Sequence, residues 1–155
     1  MAGTSWRHRH WEGLEFDTPG SWIEVPGPTF LLMHPERSDL AYRPTFTARV
    51  THPQGRSLTQ ITSLTAAFNS SALGGSHWID AAPSRLHSPQ GLVPGRRLVF
   101  VHESPAGDLL TYSWTYLLDE GRLLEMNAHC TVFQSVDLQP LMLHLGDTVR
   151  WEETR

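Results

Sequence analysis

Nine histidines, one cysteine and sixteen carboxylates are the groups in this sequence best suited to chemistry. His8 and His10 alternate in "RHRHW". On a strand such a pair shares a face and could share a metal, given a third ligand. The flanking Arg7 and Arg9 oppose a cation, and the segment is expected to be a mobile basic tail. His102 and His129 fall in strand-like segments and, with Glu125, could bind zinc or move a proton. The spacing does not require this, and solvated or hydrogen-bonded strand histidines are the simpler expectation. Cys130 follows His129, but strand neighbours point to opposite faces, so the two do not form a dyad. Cys130 keeps register with Met126, Ala128 and Val132 and is expected in the core.

Other chemistries find less support. No G-x-S-x-G elbow is present, and Ser76 in "GGSHW" follows a helix stop. In "PQGLVPG" the prolines remove backbone donors that a phosphate cradle needs. All twelve basic residues are arginine, which excludes Schiff-base lysines and a lysine-based P-loop. "FDTPGSW" (Phe16 to Trp22) combines an acid, two hydroxyls and a glycine, but Ser21 has no base nearby. There Asp17 and Thr18 are expected to hold the turn through bonds to its backbone, with Phe16 ending one strand and Trp22 starting the next. No catalytic residue, cofactor or metal is therefore expected.

The binding candidates are aromatic. Tyr112, Trp114 and Tyr116 share one face of a strand. Packed under a helix they make a core stripe; left partly open they make a platform for a peptide or an apolar ligand. Arg49, on the opposite face of its own strand, could add a contact to an anion.

These residues need elements to position them. At 155 residues the chain has the size of one domain with a real core. Residues 1–11 are expected as a flexible tail and 12–155 as the domain. "TFTARVTH" (Thr45 to His52) alternates as a strand, with Phe46, Ala48 and Val50 on one face. "SLTQITSLTAAFNSSALGG" is the clearest helix: Ser57 and Gln60 form a capping box, Leu58, Ile61, Leu64, Thr65 and Phe68 share a face, and Gly74-Gly75 stops it. "HWIDAAP" is a short strand, and Ser84 to Gly95 a proline-rich connection. Three meandering strands follow, "RRLVFVHE", "DLLTYSWTYLLD" and "RLLEMNAHCTV". The last element is a helix capped at Ser135 or Asp137, with Pro140 in its first turn. The pattern predicts an α+β domain: a mostly antiparallel sheet with helices packed on it.

Two further classes are excluded by composition. A net charge of −4 and a pI near 6.1 leave no electrostatic footprint for nucleic acid. No apolar run reaches membrane-spanning length, and one cysteine permits no internal disulfide. "MAGTSWRHRHWEG" has no apolar signal core, so the cytoplasm is the expected compartment.

The order of these elements carries a resemblance. An aromatic strand into "FDTPGSW", the "RPTFTARVT" strand, a capped helix, "ALGGSHWIDAAPSRLHSPQGLVPGRRLVF", a long hairpin and a C-terminal helix resemble the PsbP-like fold over about Phe16 to Val149. That fold is shared by PsbP, the Ran-binding Mog protein, DcrB and the actinobacterial lipoproteins of the LpqN type, and the LpqN group is the most similar. The chain lacks their lipobox cysteine, so an anchored role is not carried over. The resemblance implies an α/β/α sandwich and a non-catalytic accessory module that binds another protein, as an adaptor or chaperone. A small apolar-ligand pocket between sheet and helix is the alternative, and a histidine-based metal or hydrolytic site the third reading.

Overall fold

The computed structural model describes residues 4–35, 42–72, 75–118 and 121–152. Among them, ten strands and two helices follow one another as β1 (Trp6–Trp11), β2 (Leu14–Pro19), β3 (Ile23–Glu24), β4 (Phe30–Met33), β5 (Thr45–Thr51), α1 (Leu58–Ala72), β6 (His77–Ser88), β7 (Gly91–His102), β8 (Leu109–Leu117), β9 (Leu123–Thr131), α2 (Val132–Asp147) and β10 (Arg150–Trp151). The strands form one sheet in the order β1-β2-β10-β6-β7-β8-β9-β5-β4-β3. All pairings are antiparallel except β10 with β6. The α+β domain predicted from the sequence is the observed one.

The core forms where alternation is strictest. In β8 and β9 the residues Tyr112, Trp114, Tyr116, Leu124, Met126, Ala128 and Cys130 share one face and are fully buried, together with Met142 and Leu145 of α2. Burial pushes the Cys130 thiol up to about 11, so it stays protonated and inert. The aromatic row is thus a core stripe. A helical glycine makes this possible: a Cβ on Gly146 would overlap the Trp114 ring. Tyr116 fits in the same way against Gly95, whose missing Cβ leaves space for the ring, and the Tyr116 hydroxyl shares a 2.7 Å hydrogen bond with Ser84.

Four expectations change. Residues 6–11 are not a tail; they are β1, paired with β2 from Trp6↔Pro19 to Trp11↔Leu14. Its polar face hid the strand, whose anchoring comes from Arg9, which donates to Thr18 at 2.8 Å and pairs with Glu24 at 2.6 Å. The proline-rich connection is the tip of a long β6–β7 hairpin, in register from Ala82↔Arg97 to Ser88↔Gly91. Pro83 and Pro94 are tolerated because each has only one paired neighbour: β10 meets β6 only at His87, and β8 meets β7 only from Gly95 onward.

The C-terminal helix starts earlier than its candidate caps. Thr131 and Gln134 form the capping box, and Pro140 lies inside the helix instead of in its first turn. In "FDTPGSW", Thr18 donates to the Arg7 carbonyl and Asp17 accepts from His8, so both hold the β1–β2 pair rather than their own turn. The Ser57–Gln60 capping box of α1 forms as expected. Gly74 and Asp119-Glu120 lie outside the described residues.

Candidate functional site

The two faces of the central strands have different fates. The face carrying the aromatic row is covered by α2. The other face is polar, and α1 covers it loosely: Ile61 is the buried residue of that helix, while Leu64 is 51% and Phe68 66% exposed. Between α1 and the sheet lies an open cleft of ≈ 540 Å³. Its roof is Leu64, Thr65, Phe68 and Asn69, and its floor includes Phe100, His102, Thr111, His129, Arg49 and Glu125.

Register explains the floor. Phe100 pairs with Thr111, Thr111 with His129, and Thr115 with Glu125, which pairs with Arg49. Arg49 donates to Glu125 at 2.7 Å, closing one wall with an exposed ion pair. Nearby, Trp78 of β6 packs at a tilt on Phe100, ring centroids 5.2 Å apart, and donates its Nε1–H to Ser70 of α1. Aromatic and aliphatic groups therefore line the mouth, with polar groups beneath.

His129 is mostly buried and shares a 2.9 Å hydrogen bond between Nδ1 and Thr111 Oγ1. Burial, reinforced by nearby His102, lowers its pKa to about 4, so the imidazole is neutral at physiological pH. The Nδ1 of His102 is buried and has no hydrogen-bond partner among the described residues. A buried polar atom of this kind gains from any ligand group that can pair with it.

The candidates from the sequence separate. Arg49 belongs to the cleft, whereas Tyr112, Trp114 and Tyr116 are 2%, 0% and 1% exposed on the opposite face. They present no platform and share no site with Arg49. His102, His129 and Glu125 do line one cleft, but they form no three-ligand metal cluster among the described residues. Glu125 is instead held by Arg49. Phe68, Leu64, Phe100 and Trp78 were not singled out as a group. The exposed half of the α1 stripe was their signal, but it looked like a face bound for the core.

A second hollow of ≈ 810 Å³ runs beside α2, lined among others by Trp6, Trp22, His34, Leu141 and His144. Its rings already pack against one another, Trp6 on His144 at 4.1 Å and Trp22 on His34 at 5.6 Å. None of its lining side chains carries a buried polar atom left without a partner among the described residues, as His102 does in the cleft under α1.

No family model matches the sequence, and no curated protein is significantly similar to it. Solved structures are similar. A protein of unknown function from Pseudomonas aeruginosa aligns with a TM-score of 0.68 at 12% identity, covering 96% of this chain and 99% of that one. The cyanobacterial PsbP of Synechocystis sp. PCC 6803 gives 0.68 at 14% identity over 97% and 95%. LpqN of Mycobacterium tuberculosis, involved in cell envelope biogenesis, gives 0.69 at 14% identity over 94% and 88%. At these identities the likeness speaks for the fold alone. Nearly full coverage in both directions shows that this chain has the PsbP-like α+β fold.

Proposed function

We propose that this chain is a non-catalytic accessory domain that binds another protein, and that the cleft beneath α1 receives an apolar side chain of that partner. The observation that carries the reading is the exposed apolar rim. Exposed Leu64 and Phe68 roof the cleft, Trp78 packs on its lining residue Phe100, and the floor keeps a His102 imidazole nitrogen with no partner among the described residues. Open apolar surface of this kind favours a macromolecular partner over a small molecule, which needs enclosure.

Its chemistry favours binding over catalysis. A base with a pKa near 4 is poorly matched to proton abstraction at neutral pH. The hydroxyl that His129 touches belongs to Thr111, which is 1% exposed. LpqN acts in cell envelope biogenesis, and an assembly or adaptor role is in keeping with this cleft.

The reading is tested with a displayed random-peptide library panned on the purified domain. Enriched peptides are expected to bind at least about 10-fold more weakly to Phe68→Asp, the loss of about 1.4 kcal/mol that follows from removing one apolar anchor. Phe133→Asp, a change on α2 at a site 92% exposed against 66% for Phe68, is expected to leave them unaffected. Peptides that bind Phe68→Asp as well as the parent, or no enrichment at all, would count against the cleft.

A further inference from the structure

The outer face of the β1–β2 ribbon holds a second constellation, unrelated to the cleft. His8 and His10 are two apart on β1 and share a face. The antiparallel register sets Glu15 directly opposite His10 and Asp17 directly opposite His8. Ligand atoms of His8, His10 and Glu15 all lie within 4.8 Å of one another. The contacts fix the roles. His8 Nδ1 donates to Asp17 Oδ1 at 3.0 Å, which leaves Nε2 free to face Glu15 Oε2 at 3.8 Å. His10 Nδ1 lies 3.0 Å from Glu15 Oε1.

We infer that His8, His10 and Glu15 form a binding site for a borderline divalent transition metal, zinc by ligand class, with Asp17 orienting His8. Two imidazoles and one carboxylate make a ligand set suited to zinc, with a fourth position left for water or a partner's ligand. Tetrahedral coordination at about 2.0–2.1 Å asks the exposed imidazoles of His8 and His10 to turn toward the less exposed Glu15 carboxylate. A carboxylate on the far nitrogen of a ligating histidine is the usual second partner, fixing the tautomer and ring orientation.

The arginines that opposed a cation in the sequence do not face it. Arg9 points to the other side of the ribbon, held by Thr18 and Glu24, and strand alternation places Arg7 with it. On the site's own side Arg150 and His87 line the adjoining hollow, together with Asp147, and Glu152 acts on His8 through its charge. Glu15, Asp17, Asp147 and Glu152 thus outnumber the one guanidinium. Imidazole ligates a metal through a deprotonated nitrogen, so binding weakens as pH falls.

The test uses chelator-stripped chain, with Zn2+ affinity read by competition with a chromophoric chelator and geometry read from the Co2+ absorption spectrum. One equivalent of Zn2+ and a four-coordinate Co2+ spectrum are expected. Asp17→Asn should weaken Zn2+ by about 10- to 100-fold, and His8→Ala or His10→Ala by more. His8 and His10 are largely exposed, so these variants should fold, as circular dichroism can check. An unchanged Zn2+ affinity in the His8→Ala/His10→Ala double variant would overturn the site by assigning binding to the chain's other histidines. So would the absence of stoichiometric binding.

Discussion

Trp114→Ala is expected to lower the unfolding free energy by about 3–5 kcal/mol, the range for emptying a fully buried aromatic site. The ring lies at the centre of the sheet's α2 face, 0% exposed, and meets α2 at Gly146. The reciprocal change sharpens the test. Gly146→Ala adds a good helix former, worth roughly 1 kcal/mol in favour of folding. Its Cβ would overlap the Trp114 ring, and overpacking costs about 1–3 kcal/mol or more. The clash is expected to win, because a ring enclosed on all sides has nowhere to move. In a Trp114→Phe background the same Gly146→Ala change should cost much less, since the smaller ring vacates the contested volume. Denaturant unfolding of the four proteins gives the coupling directly. Additive effects would mean that α2 does not pack on the aromatic row as described.

The second large effect is a pH dependence centred on His129. The native protein holds this imidazole neutral, with a pKa of about 4, whereas the unfolded chain takes up a proton near the ordinary 6.5. Between those values the unfolded state binds more protons than the native state, so stability falls as pH falls through that window. The full loss, reached near pH 4 and below, is on the order of 3 kcal/mol. Other groups titrate over the same range, so the informative quantity is a difference. His129→Asn keeps a polar partner for Thr111 Oγ1 and removes the titration. Its loss of stability between pH 7 and pH 4, from urea unfolding, is expected to be smaller than the parent's by about 3 kcal/mol. Equal losses in both proteins would show that His129 is solvated and that the cleft floor is more open than its packing indicates.

The legible parts of the fold were those fixed by local patterns. The alternation of β8 and β9 reported a sheet with one buried face, and Ser57 with Gln60 reported the start of α1. What escaped depended on distant pairing. The strand character of β1 rests on Arg9 reaching Thr18 and Glu24, and its polar outer face looked like a tail. The strand read as ending at Pro83 and Pro94 as part of a connection, until the sheet order showed that each proline lies where a strand has one neighbour. The Thr131–Gln134 capping box lay inside what looked like the end of β9 and its turn.

The candidate site divides in the same way. Arg49 was visible as an outward arginine, but its partner Glu125 is 76 residues away and meets it only through the β5–β9 register. Tyr112, Trp114 and Tyr116 were visible as a row, and only the seating of α2 decides that the row is sealed. Leu64 and Phe68 were assigned to the helix's inward stripe, and polar floor residues keep that stripe from closing on the sheet.

On the proposed function, another protein docks in the cleft beneath α1. The most direct test places a photo-crosslinking amino acid at position 64 or 68, with position 133 as the exposed control, in chain expressed in its native host. Mass spectrometry of the adducts should find the same partner protein from positions 64 and 68 and not from 133, with the adduct lost when Trp78 is changed to Asp. Adducts at 64 and 68 no more abundant or specific than those at 133 would contradict the account.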